Sequence, residues 1–169
     1  MITQQELEEK LGTIPSEICT MKDIVMIQCV GSREPQRLYC SKLCCSKAIK
    51  NGLKIKKLNP ECNVYILYRD IRTYGFKEDY YNKAREAGII FIRYDLEDKP
   101  KVKEGENLEI TVFDPILSED VLIKSDLLVL SPAIVTEGNE ELGKLLKVSL
   151  TDDKFFLEAH VKLRPVDFA

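Results

Sequence analysis

No stretch of this sequence is apolar for long enough to cross a bilayer. The longest apolar runs, such as Ile24–Ile27 and Leu127–Leu130, fall far short of the roughly 20 residues that a spanning helix needs. The N-terminus reads MITQQELEEK, with no basic region leading into an apolar one, so no secretory signal is expected and the sequence implies the cytoplasm. His160 is the only histidine, and no serine or aspartate pattern around it suggests a triad, so a structural or exposed role is expected of it. C-x-x-C is absent, which removes the usual redox dithiol. The glycine-rich turn G-x-G-x-x-G is missing too. CVGSR stands where a nicotinamide domain would carry it, and Asp70, the next acidic residue after a strand, comes 39 positions beyond Gly31 where roughly 20 is expected. Binding of NAD(P)H is disfavoured.

What is present suits a globular protein: 169 residues, 44% apolar and 31% charged, enough for one domain with a real core. Six cysteines in a reducing compartment point to metal or redox chemistry rather than to disulfides. Four of them lie between positions 29 and 45, with Cys19 and Cys62 apart. Between Arg33 and Lys57 there are eight Lys or Arg against the single acid Glu34, a local charge of +7 inside a chain whose net charge is −3. A basic stretch can serve nucleic acid, but the pI of about 5.4 and the lack of a recognised motif count against that.

Along the chain, Thr3 and Glu6 form a candidate capping box for a short helix through Lys10, broken by Gly12 and Pro15, and residues 1–22 read as an N-terminal arm. DIVMIQCV from Asp23 has the continuous apolar, β-branched character of a strand buried on both faces. A helix is predicted over Cys40–Leu58, stopped by Asn59-Pro60. Then come a strand NVYILYR, a helix FKEDYYNKAREAG capped by Gly88, and a strand IIFIRY. This order predicts an α/β fold, a Rossmann-like parallel sheet with right-handed crossovers. LEITVFD, VLIKSD and LLVL read as a β-meander appended to it. The Rossmann-like domain is expected over 23–136. Residues 137–169, with one short helix and the apolar Phe155, Phe156, Leu157 and Val161, are expected to pack on another domain or partner.

The cysteines run C-x10-C-x3-C-C, in QCVGSREPQRLYCSKLCC. Cys29 would end the first strand, at the edge where open α/β sheets bind ligands, and Cys40, Cys44 and Cys45 would occupy the first turns of the next helix. On that helix Cys40 and Cys44 would share a face at i and i+4, with Cys45 turned by about 100°. Four thiolates are the usual holders of an iron–sulfur cluster. Its negative charge would suit a helix N-terminus and the nearby Arg33, Arg37, Lys42, Lys47 and Lys50. Rival readings are buried structural cysteines, which accommodate four in 17 residues poorly, and a four-cysteine zinc site, for which an adjacent Cys-Cys pair on a helix is unusual. A Cys44–Cys45 disulfide would be strained. In YRDIRTYGF, Arg69, Arg72 and Tyr74 fall in a strand-to-helix loop that suits function or a plain turn equally; Glu78 and Asp79 read as helix-start charges.

VMIQCVGSR, YCSKLCCSKAIKN, YILYRDIRTYGF, FIRYDLEDKP and FLEAHVKLRPVDFA, which span nearly the whole chain, resemble the A subunit of heterodisulfide reductase and its homologues. That family is built around a thioredoxin-reductase-like core that binds FAD. In methanogens its members bifurcate electrons towards ferredoxin and towards the mixed disulfide of coenzymes M and B. The resemblance implies that Cys29, Cys40, Cys44 and Cys45 match the family's ligands for a [4Fe–4S] cluster close to the flavin. It also implies that Lys50 matches a lysine near the reactive side of the isoalloxazine. The FAD fingerprint and ferredoxin-like cysteine motifs are absent here, and the sequence stops at PVDFA, before the family's second flavin-contacting segment. The expectation is the second nucleotide-binding-type domain of a thioredoxin-reductase-like flavoprotein, part of an oxidoreductase and not active alone. FAD would belong to the complete protein. Its partners would be the flavin-binding remainder and other redox subunits, with no nucleic acid and no membrane; a homo-oligomer is compatible with this. The alternative is a non-catalytic zinc-binding or docking module with the same fold.

Overall fold

The computed structural model describes residues 1–105, 108–160 and 163–169. Its elements in chain order are β1 (Ile2–Thr3), α1 (Gln4–Thr13), α2 (Pro15–Cys19), β2 (Asp23–Val30), α3 (Cys44–Leu58), β3 (Asn63–Tyr68), α4 (Glu78–Glu86, entered by a 3-10 turn at Gly75–Lys77) and β4 (Ile90–Arg93). They continue with β5 (Lys101–Lys103), β6 (Leu108–Asp114), β7 (Glu119–Ser125), β8 (Leu127–Pro132), α5 (Asn139–Leu146), β9 (Glu158–His160) and β10 (Arg164–Phe168). Five strands form one parallel sheet in the order β1-β8-β2-β3-β4. β5, β6 and β7 make an antiparallel sheet of their own.

β2 explains why its sequence has no polar stripe. Ile24 and Met26 pack into a core with Leu7, Ile49, Ile55 and Ile66, while Val25 and Ile27 pack into a second core with Ile110, Val112, Ile123 and Leu128. Helices cover one face and the three-stranded sheet covers the other, so successive residues of β2 are buried in opposite directions.

The segment LLVL, expected as a further meander strand, is β8, which leaves β7 through Asp126 and enters the parallel sheet between β1 and β2. Asp126 makes that turn, its carboxylate accepting from the N–H groups of Lys22 and Asp23 at 2.6 and 3.1 Å. The alternation of Leu127 and Val129 with Leu128 between the two cores is the physical reason for its place.

Residues 1–22, expected as an arm, contribute to the same unit. The capping box of Thr3 and Glu6 is formed, α1 runs on to Thr13, Pro15 opens α2 at its first turn, and Leu7, Leu11 and Ile18 are buried. Gly88 ends α4 as expected. At φ +77° it lets its own N–H reach Arg85 O and that of Ile89 reach Ala84 O, closing the helix end.

The chain divides into two compact units, Met1–Ala133 and Ile134–Ala169. In the second, the rings of Phe156 and Phe168 meet at a tilt of 54° with 5.4 Å between centres, and Leu157 bonds through its backbone to Ser149 and Ala169. His160 Nδ1 accepts from the Leu163 N–H, and β9 and β10 pair antiparallel. Val161 lies outside the described residues. No described helix is long and apolar enough to cross a membrane.

Candidate iron–sulfur site

At the C-terminal end of β2 the pairing with β8 slips: Ile27 faces Leu130 and Val30 faces Pro132, so Gln28 and Cys29 together oppose Ser131. A bulge of this kind re-aims a side chain out of the sheet's alternation. Cys29 carries it with φ +60°, a left-handed conformation that costs a residue other than glycine about 1 kcal/mol. Gly31 and Arg33 are left-handed as well. Gln28 is pinned on both sides of the bulge: its backbone oxygen accepts from Tyr94 Oη at 2.5 Å and its Oε1 from Ser131 Oγ at 3.0 Å.

The next ten residues fold back on themselves. The N–H of Arg33 donates to Tyr39 O, and Glu34 and Arg37 exchange backbone bonds across a turn begun by Pro35. This small hairpin returns Cys40 to the region of Cys29. Cys40 is not on a helix, because Lys42, at φ +62°, breaks the backbone before α3 starts at Cys44. The i, i+4 relation expected for Cys40 and Cys44 therefore does not exist. Instead Cys40 Sγ accepts the Lys42 N–H at 3.3 Å, a local turn that presents the sulfur ahead of the helix.

Cys44 and Cys45 form the first turn of α3, where backbone N–H groups have no helical acceptor and favour a negative group. Cys45 is turned inward and only 6% exposed; its Sγ donates to Asp70 O at 3.6 Å.

The four sulfurs are close enough to feel one another's charge. Burial pushes the Cys29, Cys44 and Cys45 thiols above their ordinary values. The neighbouring thiols push further: Cys40 acts on Cys29, Cys29 and Cys40 act on Cys44, and all three others act on Cys45. Arg33 opposes the shift at Cys29. Its Nη2 donates to Asp70 Oδ2 at 2.5 Å, and Arg69 Nη1 holds its backbone oxygen at 2.6 Å. Burial works against its charge, but Asp70 and Cys29 more than offset that. Its Nη1 is buried and meets no hydrogen-bond acceptor.

The other basic residues divide differently from the sequence expectation. Lys47 and Lys50 both pair with Glu8 of α1, Lys47 at 3.2 Å. Lys50 lies five residues past Cys45, about 7.5 Å along the axis and about 140° around it, so the helix does not bring it to the thiols. Sequence reasoning weighed Asp70 only as a dinucleotide ligand and gave Gln28 and Tyr94 no role. The only available signal for Asp70 was its place in YRD at the end of the strand beside β2.

Among the described residues, no three His, Cys, Asp or Glu side chains are grouped to hold a single metal ion. An iron–sulfur cluster puts its own atoms between its ligands, and the residues fit one chemically: four thiols, a helix start, and a cationic donor whose Nη1 has no geometric partner.

Comparison with known proteins finds relatives that match over most of this chain. The chain is 43% identical over 149 residues to the iron-sulfur A subunit of the CoB–CoM heterodisulfide reductase of Methanocaldococcus jannaschii, covering 85% of this chain and 23% of that protein. It is 39% identical over 155 residues to the A subunit of the ferredoxin:CoB-CoM heterodisulfide reductase of Methanosarcina acetivorans, covering 88% and 19%. The chain is a homologue of one segment of the heterodisulfide reductase A subunit. It spans about a fifth to a quarter of the length of these relatives. A further relative, the A subunit of the H(2)/formate:CoB-CoM heterodisulfide,ferredoxin reductase of Methanococcus maripaludis, is 39% identical over 158 residues, covering 90% of this chain and 24% of that one. No family profile matches the chain. Among solved structures, thioredoxin reductase of T. acidophilum superposes with a TM-score of 0.44 at 16% identity, covering 78% of this chain and 37% of that one. The HOCl-induced flavoprotein disulfide reductase RclA of Escherichia coli, as its Cu(II) complex, gives 0.46 at 9%, covering 79% and 26%.

Proposed function

We propose that this chain is an iron–sulfur electron-transfer domain of a heterodisulfide reductase-type oxidoreductase. In this reading Cys29, Cys40, Cys44 and Cys45 hold a [4Fe–4S] cluster, which exchanges single electrons with a flavin carried by the remainder of the protein. The observation that carries the reading is the convergence of four thiols, from a strand bulge, a hairpin return and a helix start, beside one half-buried guanidinium. Thiolates are the strong ligands for iron in such clusters, and the cluster supplies one-electron chemistry that no side chain offers. The chain's residues exclude water from Cys29 and Cys45 and place the positive charges of Arg33 and Arg69 near Cys29.

The relatives' names support the assignment: one is called an iron-sulfur protein and others are ferredoxin-linked reductases. The reading extends to assembly. The unit Ile134–Ala169 carries exposed Leu145, Leu163, Val166 and Phe168, and in this proposal it packs on the flavin-binding part or on another redox protein of the complex. The deciding experiment is iron and acid-labile sulfide analysis, with visible and EPR spectra, of protein prepared anaerobically. About four iron and four sulfide per chain, with a charge-transfer band bleached by dithionite, is expected. Stoichiometric zinc without sulfide would replace this reading with the zinc-binding module.

A further inference from the structure

Most polar groups around Cys29 have partners. Tyr94 Oη and Ser131 Oγ bond to Gln28, Lys99 pairs with Glu34 at 2.8 Å, and Arg69 holds the Arg33 carbonyl. Two buried donors there have no acceptor, the amide nitrogen of Gln28 and Arg33 Nη1. Of the two only Arg33 carries charge, and its field already acts on the Cys29 thiol. The Cys29 thiol itself interacts with this guanidinium, but a neutral thiol is a weak acceptor and leaves the donor poorly satisfied, whereas a deprotonated Cys29 sulfur would satisfy it.

We propose that Arg33 is a positioning residue that sets the reduction potential of the group bound by the cysteines, donating through Nη1 to the sulfur of Cys29 once that sulfur is a ligand. The inference rests on the cluster reading above. Reduction adds one electron to an already anionic group and breaks no bond, so a fixed positive charge close by favours the reduced form. Arginine suits the task because it stays charged at all accessible pH values and its planar fork serves two acceptors at once. Here Nη2 is anchored on Asp70, which leaves Nη1 directed inward. The side chain is 17% exposed, so water screens its field only in part. Hydrogen bonds to cluster sulfurs are among the protein's levers on potential.

The test is an EPR-monitored redox titration with dithionite of the full chain holding its cluster, comparing native protein with Arg33→Gln and Arg33→Lys. The native potential should exceed that of Arg33→Gln by at least a tenfold change in the reduction equilibrium, about 59 mV for a one-electron couple. Arg33→Lys, which keeps the charge but cannot span Asp70 and Cys29, should fall between them. Iron content and the thermal midpoint of the cluster-free proteins separate tuning from a structural role, which would move the midpoint and leave the potential alone. If Arg33→Gln does not retain iron, Arg33→Lys decides. Equal potentials in native and variant proteins with full iron overturn the role of Arg33 and leave the cluster reading intact. Native protein that takes up no iron and sulfide overturns the cluster reading itself.

Discussion

Cys45 Sγ donates to the carbonyl oxygen of Asp70 at 3.6 Å, while the carboxylate of the same Asp70 takes Arg33 Nη2 at 2.5 Å. One residue just past β3 thus ties the start of α3 to the loop that follows β2. Replacing any one of Cys29, Cys40, Cys44 or Cys45 by Ser is expected to abolish or destabilise the cluster, because a hydroxyl is a poor ligand for iron. Cys19→Ser and Cys62→Ser should keep full iron content. Iron analysis of the six variants checks this, and full iron in Cys45→Ser would remove that residue from the ligand set.

Nucleotides should find no phosphate cradle here. A dinucleotide site needs a helix N-terminus brought close to the strand end by a tight glycine turn, whereas α3 begins fourteen residues after Val30 and the space between is filled by the hairpin and the thiols. Calorimetric titration of this chain with FAD, NADH and NADPH is expected to show no tight binding. Stoichiometric micromolar binding of FAD would place a flavin site on this chain that the geometry does not provide.

Leu7, in α1, is fully buried between the sheet and α3. Leu7→Ala should lower the unfolding free energy by about 3 kcal/mol, the usual cost of a large-to-small change in a core that relaxes only in part. Urea titration with an unchanged slope would measure it. A loss below about 1 kcal/mol would mean that the first helix is a dispensable attachment.

The sequence made legible those parts of the fold that rest on local chemistry. The double-sided burial of DIVMIQCV, the Thr3–Glu6 capping box and Gly88 at the end of α4 are each decided within a few residues. What could not be read depends on distant partners. The start of α3 is displaced by the left-handed Lys42 and by a hairpin that pairs Arg33 with Tyr39, and neither leaves a periodic trace. β8 follows β7 after one residue, so LLVL has the appearance of the next meander strand, and only its parallel partners β1 and β2 reveal otherwise. At the site, the cysteine spacing marked four candidate thiols, but the division of the basic residues between Asp70 and Glu8 joins residues about 40 apart in sequence and carries no local signature.

Cys62 gives a pH dependence that is independent of the cluster. It is fully buried, and burial pushes its thiol up to about 11, against the pull of Lys56. Above the ordinary value of 9.0 the unfolded chain releases this proton while the folded chain keeps it. The unfolded state then binds fewer protons, and stability falls as pH rises from about 9 to about 11. The loss attributable to this thiol is on the order of 2 kcal/mol. Urea unfolding of cluster-free protein at intervals across that range should show a shallower decline in Cys62→Ala than in the native chain, since the other thiols, tyrosines and lysines titrate in both. Parallel curves would show that Cys62 is not the group responsible.

Lys50 is the residue whose role depends most on a partner. Its ammonium is already paired with Glu8, which Lys50 and then Lys47 hold below the usual carboxylate range. The lysine side chain is 57% exposed, so the pair is within reach of a domain docking on α3 and α1. If the flavin's reactive side is brought against this face, an ammonium about 4 Å away would stabilise an anionic reduced flavin by on the order of 4 kcal/mol before desolvation is subtracted. Glu8 sets the opposite field and competes for the same ammonium. Two variants should therefore move the flavin potential in opposite directions when the chain is assembled with the flavin-binding part of the protein: Lys50→Ala downwards, and Glu8→Gln upwards because it frees the ammonium. Spectroelectrochemical titration of the assembled flavoproteins measures both shifts. Potentials that stay at the native value in both variants would take Lys50 out of the mechanism, and shifts of the same sign would mean that the pair acts by shaping the docking surface rather than by its charge.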